Sequence, residues 1–109
     1  MSREEVGTVV VFTTVPDDDL AVKIAQSLLE KRLAACVHIL ASGQSFYRWQ
    51  GKIEHGAEKL MIIKSTVERY AELESTIRRL HPYDLPEIVS FPISHGLPAY
   101  LDWIRHETA

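Results

Sequence analysis

Thr8–Val15 reads TVVVFTTV. All eight of its residues are β-branched or phenylalanine, without interruption by charge, so the segment is predicted as a strand with apolar groups on both faces. Such a strand needs a cover on each side, and that requirement governs the rest of the reading. Pro16 and Asp17-Asp18-Asp19 follow, a helix start with acids at the positive end of the dipole. Leu20, Ile24 and Leu28, flanked by Ala21, Ala25 and Leu29, form one apolar stripe on a helix of about four turns. Glu30, Lys31 and Arg32 close it.

Further along, Ala34–Leu40 (AACVHIL) is predicted as the second strand, with a break at Ser42-Gly43 and strand character again over Ser45–Trp49. Gln50-Gly51-Lys52 suits a bend and His55-Gly56 a turn. Glu58–Ser65 (EKLMIIKS) is the third strand, and Ser65-x-x-Glu68 has capping-box form. Tyr70, Leu73, Ile77 and Leu80 stripe a second helix, which Pro82 ends by restricting His81. Glu87–Ile93 is a fourth strand, placed at a sheet edge by Pro92. Ala99–His106 forms a short last helix. The order β-α-β-β-α-β predicts an α+β, ferredoxin-like sandwich with both long helices on one sheet face, an extended hairpin of the second and third strands, and a short C-terminal helix.

The chain has 109 residues, enough for one domain over 1–109, with 1–6 read as a flexible polar tail. A net charge of −3 argues against non-specific nucleic-acid binding, which needs a basic face. The single cysteine, Cys36, forbids an internal disulfide and fits a reducing compartment. The N-terminus lacks signal-peptide form and no run approaches the ~20 apolar residues of a membrane span, so a cytoplasmic location without membrane contact is expected.

The two helices cover one sheet face, which leaves the other face of TVVVFTTV and EKLMIIKS bare. Burying roughly 500 Å² of it at about 25 cal/mol per Å² gives on the order of 10 kcal/mol before association costs. An obligate homo-oligomer is therefore expected; the competing arrangement has the last helix, with Trp103, roofing that face. The hairpin segment SFYRWQGKIE carries Phe46, Tyr47 and Trp49, rings typical of interface cores.

Between the second helix and the fourth strand lies HPYDLPEI, His81–Ile88. His81, Asp84 and Glu87 offer donors suited to Cu(II) or Zn(II). The same residues also make a stiff helix-ending turn, with His81 at the negative end of the dipole. Cys36 and His38 share a sheet face but make only two donors, and Cys36 fits a small buried hydrophobe as well. Asp17-Asp18-Asp19 lacks the ligand count and glycine of a calcium loop. Its three acids stand where an acylphosphatase would need a basic anion cradle. No glycine-rich phosphate loop or nucleophile elbow occurs, so no enzyme is expected.

RLAACVHI, SFYRWQGKIE, LMIIKS, HPYDLPEIVSFPI and YLDWI, in this order and spacing, resemble the CutA divalent-cation tolerance proteins from about Thr8 to His106. The resemblance implies a tight homotrimer with edge-to-edge strand pairing, architectural kinship with PII signalling trimers, and a non-enzymatic role in copper and divalent-metal tolerance. Cu(II) or another divalent metal is the implied ligand, with His81 as the candidate and no metal needed for folding. Some members carry a cysteine where this chain has Thr13 and a second histidine where it has Leu80, which weakens the metal case. The alternative is a PII-like sensor binding a small anionic metabolite in an inter-subunit cleft near Tyr47, Trp49, Lys52, Tyr83, Asp84 and Glu87, beside His81. A stable scaffold for another protein is a third reading.

Overall fold

The computed structural model describes residues 5–109. Strand β1 (Thr8–Val15) leads to helix α1 (Asp18–Glu30), then β2 (Cys36–Ile39), β3 (Gly43–Trp49) and β4 (Lys52–Thr66). Helix α2 (Val67–Leu80), β5 (Ile88–Pro92) and α3 (Pro98–Glu107) complete the chain. The sheet order is β2-β4-β1-β5, antiparallel throughout, with β3 paired to the first half of β4. This is the expected α+β, ferredoxin-like plan. β5 is an edge strand, so Pro92 has no ladder bond to donate on its outer side.

Side-chain alternation divides β1 between two environments. Val9, Val11 and Val15 are buried with Met61 and Ile63 of β4 against Ala21, Ile24 and Leu28 of α1 and Leu73 and Ile77 of α2. The two helical stripes read from spacing are thus the roof of one core. Asp17 caps α1, its carboxylate accepting from the Leu20 N–H at 2.9 Å. The other end of α1 is a Schellman turn: Leu33 N–H bonds to Leu28 C=O and Arg32 N–H to Leu29 C=O. Arg32 takes φ 57° there, a position glycine usually fills. Its guanidinium is anchored to the His106 carbonyl at 2.9 Å, which ties this turn to α3.

On the second face, Thr8 and Thr66 are paired across β1 and β4 and both are buried, and α3 packs against these two strands. Beyond them the cover stops. Phe12 meets Phe91 edge-on at 5.1 Å, while Val89 and Phe91 remain 42% and 47% exposed. The last helix therefore covers one end of this face and leaves its β1–β5 part open.

Three local expectations change. His55-Gly56 is not a turn: β4 runs unbroken for 15 residues, with Gly56 opposite Ser45 and His55 opposite Phe46. The reversal sits at Gln50-Gly51, where φ values of 50° and 80° mark a two-residue hairpin loop. At about 3.3 Å per residue, β4 accounts for the 47 Å long axis of the chain. The capping box is not formed either. Thr66, not Ser65, is the N-cap residue of α2 and makes no side-chain cap bond, while Ser65 Oγ donates to the Leu33 carbonyl at 2.6 Å. Of the expected polar tail, residues 1–4 lie outside the described residues. Val6 is only 3% exposed, and its carbonyl accepts from Arg105 Nε at 2.7 Å.

Candidate functional site

Pro82 stops α2 at Leu80, and His81 turns to extended geometry at φ −83°, ψ 134°. The backbone N–H of His81 still bonds to the Ile77 carbonyl, so the helix end fixes where the imidazole points. The residue is 8% exposed, and Nε2 lies 2.8 Å from the Thr14 carbonyl oxygen. A carbonyl can only accept, so Nε2 carries the proton. Nδ1 is then the acceptor, and the Tyr83 N–H donates to it at 3.2 Å. The imidazole is thereby a clamp between β1 and the turn, tilted 57° to the Tyr83 ring with 4.6 Å between centroids.

This geometry tests the implied metal. A copper ligand needs a free nitrogen lone pair, and the one on Nδ1 is committed to Tyr83. Among the described residues no group of three or more His, Cys, Asp or Glu could hold a metal ion. Cys36 is half-buried and His38 exposed on the second sheet face, opposite Lys64 and Ile62, with no further donor gathered around them. The donor set of a single chain does not fit a copper centre.

Next to the clamp, the protruding hairpin and the 83–87 turn enclose a groove of about 580 Å³. Tyr47, Trp49, Tyr83, Asp84 and Glu87 line it, five of the six cleft candidates read from the sequence. Lys52 does not: it pairs with Trp49 at the hairpin end and is exposed. His81 stands behind Tyr83 and is not part of the wall. Glu58 is a lining residue that sequence reasoning missed. It lies in the middle of a strand, 25 positions before its partner Tyr83, and no local pattern joins the two. Burial, then a hydrogen bond to the Glu58 carboxylate and that carboxylate's charge, push the Tyr83 phenol up to about 12. The phenol is therefore a fixed donor. With Glu58, Asp84 and Glu87 against the single guanidinium of Arg48, the groove opposes the anionic metabolite expected there.

An antiparallel sheet with two helices on one face and a long projecting hairpin defines a ferredoxin-like α+β fold. The chain belongs to the CutA1 divalent ion tolerance protein family, whose model matches residues 9–107. It is 46% identical to the divalent-cation tolerance protein CutA of Thermus thermophilus, over 91% of this chain and 96% of that one. It is 36% identical to the chloroplastic protein CutA of Arabidopsis thaliana over 98% of its own length, spanning 59% of that longer relative. The solved structure of the periplasmic divalent cation tolerance protein CutA from Archaeoglobus fulgidus superposes with a TM-score of 0.90 at 40% identity, covering 94% of this chain and 99% of the other. The Thermus and Archaeoglobus names describe tolerance to divalent cations, and none of the three names a catalysed reaction. They also place relatives in a periplasm and a chloroplast. Among the described residues no helix is long and apolar enough to cross a membrane.

Proposed function

We propose that this chain acts as a non-enzymatic homotrimer in divalent-cation tolerance, in the cytoplasm. The observation that carries the reading is the open apolar strip of Phe12, Val89 and Phe91, which α3 leaves uncovered. A soluble monomer rarely leaves such a strip on a sheet face, and a neighbouring copy supplies its cover. The hairpin supports the same reading, since β3 pairs on one side only and offers a free edge to another strand. Cu(II) enters this reading as an ion bound outside the His81 clamp, at donors that assembly brings together from more than one chain. Native mass spectrometry tests the reading. The expected species is three chains, and a monomer at micromolar concentration overturns it.

A further inference from the structure

We infer that the groove between the hairpin and the 83–87 turn is a binding site for an organic cation of the alkylammonium class. The inference rests on the groove of one chain and reverses the sign of ligand expected from the sequence; it does not depend on the copper reading. Charge is the first argument. Glu58, Asp84 and Glu87 outnumber Arg48, the one basic side chain of the lining. Aromatic content is the second. The faces of Tyr47, Trp49 and Tyr83 attract cations through their ring quadrupoles, and each is only partly covered within the chain. The ring of Tyr83 is held in place by its hydroxyl bond to Glu58 and by contact with His81.

Size and donor geometry separate an organic cation from a metal ion. A volume near 580 Å³ is far larger than an ion needs, and no three carboxylates or imidazoles among the described residues close around a point in it. An alkylammonium uses both parts of such a lining: its methylenes lie along the rings while its charged ends meet carboxylates. An anion would gain neither.

The probe is spermidine, titrated into the assembled full-length protein by calorimetry and by tryptophan fluorescence, with adipate as a dianion of similar length and Mn²⁺ as a bare cation. Saturable spermidine binding is expected, with quenching of Trp49. It weakens tenfold or more in Trp49→Leu and in the double variant Asp84→Asn/Glu87→Gln. Adipate is expected to give no saturable signal. Asp84 and Glu87 are both exposed, so the double variant keeps the fold. Native mass and thermal melting of the same samples separate a loss of assembly from a loss of the site. Three results overturn the inference: adipate binding as tightly as spermidine, spermidine binding the double variant as tightly as the parent, or no saturable spermidine binding at millimolar concentration. Stoichiometric Mn²⁺ binding that displaces spermidine also overturns it, in favour of a metal site.

Discussion

His81 Nε2 meets the carbonyl oxygen of Thr14 at 2.8 Å, joining the end of α2 to the end of β1 across 67 positions of sequence. With Nδ1 accepting from the Tyr83 N–H, both nitrogens of a nearly buried imidazole are used inside the chain. A residue that offered itself as a metal ligand is, in the fold, a pin behind the groove wall, in contact with Tyr83. The same pin orients the ring of Tyr83, so the turn that begins with His81 contributes its groove wall in a fixed position.

Replacing His81 with alanine is expected to lower stability by about 1–3 kcal/mol, because the Thr14 carbonyl and the Tyr83 N–H lose their partner in a poorly hydrated place. Urea unfolding measures the loss. A Cu(II) titration of the same variant is expected to match the parent. A parent site that vanishes in His81→Ala would show that the imidazole gives up a hydrogen bond to bind copper.

The raised Tyr83 phenol makes a pH prediction. Its folded-state value is about 12, above the usual 10 of an unfolded chain. The folded state therefore holds this proton more tightly. The contribution is complete below pH ~10 and is lost as pH rises from there through about 12. Melting temperature is expected to fall more steeply across that window in the parent than in Tyr83→Phe. Parallel curves for the two proteins would remove the Glu58 bond from the account.

Phe91→Glu places a charge on the open strip beside Phe12. In one chain the change is mild, since Phe91 is 47% exposed and gives up only its edge contact with Phe12. In an assembly it strands a carboxylate in an apolar joint, so association is expected to fail while the subunit still folds. Sedimentation velocity reads the outcome: a species of lower mass is expected from Phe91→Glu and the parental mass from Phe91→Leu.

The hairpin loop supplies a fourth expectation. Gly51 stands at φ 80°, where a β-branched side chain is strained. Gly51→Val is expected to cost on the order of 1 kcal/mol or more. Nothing lies within 4 Å of an added Cβ, so the cost is conformational rather than steric. Gly56→Ala, in the paired strand, is expected to be neutral or slightly stabilising, and thermal melts of the two variants compare them directly.

Where the pattern was periodic, sequence sufficed. The uninterrupted β-branched run Thr8–Val15 formed a strand, Leu20, Ile24 and Leu28 recur at helical spacing as read, and Val9, Val11 and Val15 meet that stripe in the core. Pro82 and Pro92 acted through their own covalent geometry, which needs no tertiary partner. Local polar signals were less secure. His55-Gly56 resembles a turn, but pairing with Phe46 and Ser45 holds it straight. Ser65 resembles a cap, but the Leu33 carbonyl, 32 positions away, takes its hydroxyl. Each lost to a partner distant in sequence that offered the backbone or side chain a better bond.

The sequence by itself determined the element order, the two helical stripes and the edge strand. Those follow from periodicity and from fixed dihedral angles, which act over a few neighbouring residues. The tertiary structure alone decided that His81 faces Thr14 and Tyr83 faces Glu58, and hence which nitrogen carries a proton and which sign of ligand the groove favours. These are contacts between segments dozens of residues apart, set by strand register and helix packing.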